Sequence, residues 1–160
     1  MFQVDSSPHG PMALHKNDDY GFSIQFPTSW QEKALDPALE ITGYYVGPQG
    51  AEFVVVEEDL AAFELEDVTL DEYVDIVLEV VSSAFAGFEL ISEMRTTTSQ
   101  GLDAVLLKIS GLGGSIRGKR LIHLNEYGVG FNVTYLALKE RFEELEAVID
   151  YSLGIFRIEE

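Results

Sequence analysis

Tyr20, Phe22, Ile24 and Phe26 alternate with Gly21, Ser23 and Gln25, the period of two that a half-buried strand requires. Pro27 ends that run because it has no amide to donate to a ladder, and Trp30 follows after a short turn, placed to join the same core. Two more strands are expected in EITGYYVG and EFVVVEE, on either side of the turn sequence GPQG. The unbroken apolar run from Phe53 to Val56 implies that both faces of its strand are covered. Helical spacing then takes over: Leu70, Tyr73, Val74, Val77, Val81 and Phe85 recur every three or four positions. Thr69 and Glu72 are spaced as a capping box, Val68 and Tyr73 as its hydrophobic staple. Gly87 supplies the stop.

Beyond that helix, four strands are expected in FELISEM, LDAVLLKIS, GKRLIHLNE and GVGFNVTYL. The connections TTTSQG, GLGGS and EYG are too short for parallel crossovers, so the strands form an antiparallel meander. A second amphipathic helix, LKERFEELEAVIDYSLGIF, closes the chain with Leu138, Phe142, Leu145, Ile149, Leu153 and Phe156 on one stripe. The order β-β-β-α-β-β-β-β-α implies an α+β fold, an antiparallel β-sheet with helices packed on both faces in a three-layer α/β/α sandwich. Residues 1–17, rich in Ser, Pro, His and Gly without periodicity, read as a flexible N-terminal arm before a single domain at 18–160.

Composition fits that reading. A chain of 160 residues, 46% hydrophobic, can bury a real core as one domain. The absence of cysteine excludes disulfides, thiol catalysis and cysteine-ligated zinc. No apolar run is long enough for a membrane span. The first residues lack the basic and apolar regions of a signal peptide, which implies a cytoplasmic chain as written, or an extracytoplasmic one if a leader has been removed.

Charge changes the picture more. The net charge is −18, and no basic residue occurs between Lys33 and Arg95. From Arg95 to Leu124 the balance reverses, with Arg95, Lys108, Arg117, Lys119 and Arg120 against Asp103 alone. Phosphate repulsion argues against a nucleic-acid partner. Glu57, Glu58, Asp59, Glu64, Glu66, Asp67, Asp71, Glu72 and Asp75 form an acidic stretch that could meet a basic protein surface or hold Ca²⁺ weakly. It lacks the glycine-turned spacing of an EF-hand loop, and carboxylates in a helix's first turn also have an ordinary use against the helix dipole.

Other candidates are weaker. GGSIRGKR meets a phosphate-loop pattern at Gly113, Gly118 and Lys119, but Arg120 stands where a hydroxyl must ligate Mg²⁺. The adjoining run RLIHLNE has the character of a strand rather than a helix N-terminus, so the segment reads as a hairpin with Gly111, Gly113 and Gly114 in its turn. His9 and His15 lie in the N-terminal arm, and His123 lies mid-strand, where a satisfied structural histidine is expected. No motif brings a nucleophile, base and orienting group together. Of Tyr44 and Tyr45 one ring should point outward, a possible contact anchor, and Asn132-Val133-Thr134 reads as strand rather than glycosylation signal.

The segment YGFSIQFPTSW resembles the opening signature of the Mog1/PsbP-like superfamily, at Gly21, Phe22, Ser23, Ile24, Phe26, Pro27 and Trp30. The likeness continues as element order, through Gly101-Leu102-Asp103-Ala104, the strand ending FNVTYLA, and a closing helix with Phe142, Leu145, Ile149, Ser152 and Phe156. That resemblance implies an antiparallel sheet flanked by helices, no catalytic site and no cofactor, and a role in binding another protein. The expected function is therefore a non-enzymatic protein-binding or assembly module with its acidic face toward a basic partner. The alternative is a small-ligand or divalent-metal (Ca²⁺) binding protein. Phe22, Pro27 and Trp30 are expected to serve core and turn.

Overall fold

The computed structural model describes residues 2–4, 11–17, 22–34, 43–47, 50–60, 67–84, 86–98, 100–125, 128–154 and 157–158. The elements up to the first helix are β1 (Phe2–Val4), β2 (Met12–Asn17), β3 (Phe22–Pro27), β4 (Gln31–Glu32), β5 (Gly43–Val46), β6 (Glu52–Asp59) and α1 (Leu70–Ala84). They are followed by β7 (Glu89–Thr97), β8 (Asp103–Gly111), β9 (Ile116–Leu124), β10 (Val129–Leu138), α2 (Lys139–Gly154) and β11 (Arg157–Ile158). Among the described residues a seven-stranded antiparallel sheet has the order β4-β5-β6-β10-β9-β8-β7. A four-stranded antiparallel sheet has the order β1-β2-β3-β11.

The meander β7–β10 is as the short turns require. β10 then returns beside β6, pairing Val133 with Val55 and Tyr135 with Phe53. Successive strand residues face opposite sides of a sheet, and β8 shows the consequence. Ala104 and Leu106 join one apolar cluster, while Val105, Leu107 and Ile109 join another. The first cluster contains Phe142, Ile149 and Leu153 of α2 with Ala13, Phe22, Ile24 and Phe26 of the small sheet. The second contains Tyr73, Val74, Val77 and Val81 of α1. α1 and α2 therefore cover opposite faces of the large sheet.

A chain of rings ties the first cluster together. Ring centroids lie 4.3 Å apart for Phe26–Tyr45, 5.3 Å for Tyr45–Phe53 and 4.5 Å for Phe53–Tyr135, spacings at which aromatic pairs add to simple burial. Trp30 meets Tyr135 edge-on at 5.7 Å. Its indole lies directly on Gly47, where a Cβ would stand 2.4 Å from the ring. Burial raises the pKa of both the Tyr45 and Tyr135 phenols.

Four expectations need correction. Residues 1–17 were expected to carry no element, yet β2 lies within them and pairs along β3 from Met12–Pro27 to Asn17–Phe22. Met12 and Ala13 are buried there because a partner strand is present, not because their own pattern alternates. The strand opening the domain, β3, belongs to the separate small sheet, so the layer beside α2 contains strands as well. On β6, Phe53 and Val55 are fully buried while Val54 and Val56 are only half-buried, so its faces are covered unequally. Leu138 ends β10 and is 48% exposed, because α2 starts one residue later than the stripe suggested. Phe85 and Phe156 lie outside the described residues.

Candidate interaction surface

α1 is held at its start by the capping box read from the sequence. Thr69 Oγ1 accepts from the Glu72 amide at 3.2 Å, and Glu72 Oε1 accepts from the Thr69 amide at 3.3 Å. Its apolar face is locked by Tyr73, whose ring rests on Gly130 and whose hydroxyl accepts from Asn132 Nδ2. With that face turned inward, Asp71, Glu72, Asp75 and Glu79 are exposed, and Asp67 is exposed in the turn before the helix. Arg95 of β7 forms an ion pair with Asp71, and Glu72 serves the cap. Among the described residues, Asp67, Asp75 and Glu79 have no cationic partner.

The other predicted acids divide in two groups. The backbone of Glu57, Glu58 and Asp59 lies on β6, opposite Phe131, Gly130 and Val129. Their side chains, like Glu64 and Glu66 entirely, lie outside the described residues.

α2 carries five acids: Glu140 and Glu143 are exposed, Glu144 pairs with Arg141, and the other two turn to the sheet. Glu146 accepts from Lys108 at 3.1 Å and lies 2.9 Å from Lys119, and Asp150 accepts from Lys119 at 2.7 Å. The two lysines stand opposite one another on β8 and β9, so acids one helical turn apart reach a pair of cations on the sheet below. Burial alone would lower the Lys119 pKa; its hydrogen bonds to the Asp150 and Glu146 carboxylates, with their negative charge, outweigh it and leave the value raised. Hydrogen bonds from Lys119, opposed by partial burial and aided by Lys108, hold the Glu146 carboxyl below its ordinary range. Lys108 also lies over the Phe142 ring, 5.5 Å from its centroid. The basic stretch singled out in the sequence is thus partly spent within the fold, a use that its own spacing did not reveal. The signal that could have shown it is the i,i+4 acid pair in the last helix, set against two lysines in hairpin register.

The remaining candidates have structural places. Leu112, Gly113 and Gly114 have φ of 52°, 68° and 90° in the turn joining β8 to β9, so GGSIRGKR is a hairpin. His123 is buried and stacks on Phe131, with Nδ1 donating to the Asp103 carbonyl at 2.7 Å. Tyr45 is in the core, whereas Tyr44 is half-buried and donates to Glu52 at 2.8 Å. That hydrogen bond, with some burial, raises the Tyr44 pKa. The sequon-like Asn132 and Thr134 are buried in β10. His9 lies outside the described residues, as does the His15 side chain. Among the described residues no three His, Asp or Glu side chains converge as a metal site requires, and no helix is long and apolar enough to cross a membrane. One cleft of about 390 Å³ opens beside the start of α1, lined by Leu70, Arg95, Leu102, His123, Leu124 and Asn125 among others.

No family model matches the chain, and no curated protein matches it in sequence. Solved structures do. Cyanobacterial PsbP (CyanoP) from Synechocystis sp. PCC 6803 superposes with a TM-score of 0.72 over 92% of each chain, at 14% identity. The Ran-binding protein Mog1p of Saccharomyces cerevisiae gives 0.55 at 9% identity, over 92% of this chain and 95% of its own. The fold is that of the Mog1/PsbP-like proteins. LpqN of Mycobacterium tuberculosis, involved in cell envelope biogenesis, gives 0.64 at 14% identity over 93% of this chain and 91% of its own. Of the positions carrying the Mog1/PsbP-like resemblance, Phe22 and Trp30 are buried and Pro27 ends β3 half-buried; Gly21 lies outside the described residues.

Proposed function

We propose that the chain is a protein-binding or assembly module without a catalytic role, and that the acidic surface of α1 and its preceding turn meets a basic partner. The observation carrying this reading is that Asp67, Asp75 and Glu79 are exposed without a cationic partner among the described residues, whereas Glu146 and Asp150 of α2 are committed to lysines. Carboxylates left free on a rigid, capped helix raise association rates and discriminate between partners. Glu57, Glu58, Asp59, Glu64 and Glu66 would extend that surface along the chain. The architecture we read is a three-layer α/β/α sandwich in which the small sheet shares the layer of α2, leaving α1 the outward helix of its own layer. That one solved protein of this fold is a Ran-binding protein supports a binding role.

The test compares proteins retained from the native organism's lysate by the chain and by Asp67→Lys/Asp75→Lys/Glu79→Lys, with elution by rising salt. A basic protein bound by the former and lost by the latter, with the melting temperature unchanged, is expected. Equal retention by both chains would overturn the reading.

The cleft beside α1 favours a second reading, a small ligand held between helix and sheet. Its volume falls within the range of ligand pockets, and apolar and polar groups both line it. A ligand that binds the native state alone raises the melting temperature. A metabolite and metal panel without any shift would count against it.

A further inference from the structure

The free edge of β7 has an unusual composition. Among the described residues it closes one end of the seven-stranded sheet, paired with β8 only. Of its nine residues eight are exposed and Thr96 is half-buried. Seven large apolar side chains are exposed among the described residues, and three of them, Leu90, Ile91 and Met94, lie on this one strand. A long edge with apolar side chains and open backbone groups is a template for another strand.

The charges on the edge indicate which strand. From Ser92 to Thr97 the register with β8 is regular, the bulge being confined to Leu90–Ser92. Within that regular stretch Glu93 opposes Leu107 and Arg95 opposes Val105, both members of the α1-side cluster. Glu93 and Arg95 therefore point to the same face, two residues apart, with Met94 between them on the other.

The geometry points to a second copy of this chain as the occupant, its β7 antiparallel to the first about a two-fold axis at Met94. In that register Glu93 of each copy opposes Arg95 of the other, which makes two opposite-charge pairs on one face. Ser92 opposes Thr96, and Met94, 54% exposed in the single chain, is covered by Met94 of the second copy. A two-fold contact must be self-complementary, and opposite charges placed symmetrically about Met94 meet that condition. In a chain of net charge −18, the stretch 92–97 is neutral, so two copies approach here without net local repulsion. Arg95 also pairs with Asp71 within its own chain, through exposed side chains that leave the guanidinium able to bridge both carboxylates. The inference is independent of the acidic surface on α1.

Sedimentation velocity over a range of concentrations, at about 0.15 M salt so that long-range repulsion between the acidic chains is screened, tests it with charge variants. The unaltered chain is expected to form a dimer. Glu93→Arg and Arg95→Glu alone place like charges opposite each other and should each weaken that dimer by about tenfold or more. An equimolar mixture of these two variants restores both opposite-charge pairs and should dimerise as tightly as the original chain. The double variant Glu93→Arg/Arg95→Glu should also recover. Recovery in the mixture shows at once that both variants fold. A monomer at every concentration, a dimer indifferent to the single changes, or a mixture that stays monomeric would each overturn the proposal.

Discussion

α1 and α2 lie against opposite faces of one sheet, both rich in acids, and they differ in how many of those acids reach cations on that sheet. On α2, Glu146 and Asp150 reach down to Lys108 and Lys119, so the helix is fastened at its edge as well as by Phe142, Ile149 and Leu153 beneath. α1 is fastened by its cap and by Tyr73 against Gly130, and Asp67, Asp75 and Glu79 are left facing water. Both helices also carry exposed acids without a cationic partner among the described residues, Glu140 and Glu143 on α2 and Asp75 and Glu79 on α1, while Asp71 and Glu72 of α1 serve an ion pair and the cap. What separates paired from unpaired acids is whether the sheet brings a cation within reach: Arg95 meets Asp71, Lys108 and Lys119 meet Glu146 and Asp150, and none among the described residues meets Asp75 or Glu79.

The largest effect should come from unseating α2. Phe142→Ala removes a fully buried ring together with the surface under Lys108, and truncations of this kind cost about 3–5 kcal/mol. Chemical denaturation should show a lower midpoint. A loss below 1 kcal/mol would mean that the ion pairs, not the apolar seat, hold the helix. On the other face, Gly130→Ala puts a Cβ 2.3 Å from the Tyr73 ring. Overpacking there is expected to cost about 1–3 kcal/mol. Near-ultraviolet circular dichroism should report the displaced tyrosine, and an unchanged spectrum would mean that the Tyr73–Gly130 contact does not seat α1.

Electrostatic changes should be smaller, and here the helices should diverge. Lys119→Met is expected to cost about 1 kcal/mol, since its partners are one-third to one-half exposed and solvent screens them. Glu146 has a depressed folded pKa, so its contribution is present above the ordinary value of 4.5 and is lost as pH falls through the lower folded value. Lys119 has a raised folded pKa, so its contribution is present below 10.5 and is lost as pH rises through the folded value. Urea midpoints against pH should therefore decline at both ends, and Glu146→Gln should flatten the acid limb. An unchanged acid limb in that variant would break the distinction between the helices. Asp75→Lys/Glu79→Lys on α1 should shift stability by less than about 0.5 kcal/mol, while slowing association with a basic partner. A large stability loss would show that these acids also serve the fold.

Much of the architecture was legible because it rests on local signals. The capping box at Thr69 and Glu72, the buried stripe Tyr73, Val74, Val77 and Val81 of α1, and the antiparallel order of β7–β10 depend on neighbours in sequence, and each formed as read. β2 was not legible. Met12 and Ala13 carry no alternation of their own, and the strand exists through its pairing with β3. Nor did the stretch FSIQFP reveal that β3 would leave the large sheet, since a period of two specifies a strand without naming its neighbours. The acidic stretch was legible as composition, and Asp67 and Asp75 stand exposed, but the pairing of Asp71 with Arg95 across 24 positions was not legible.

The sequence by itself determined the alternating and helical periods, the turn chemistry of the β8–β9 hairpin and the excess of acid. All of these act over a few residues or sum over the whole chain. Only the tertiary structure decided, among the described residues, which acids have no cation, which strand joined which sheet, and which edge of β7 is unpaired. Those outcomes depend on what a distant segment places within a few ångströms, and at that range a lysine under α2 makes an ion pair while Asp75 of α1 has no cationic partner among the described residues.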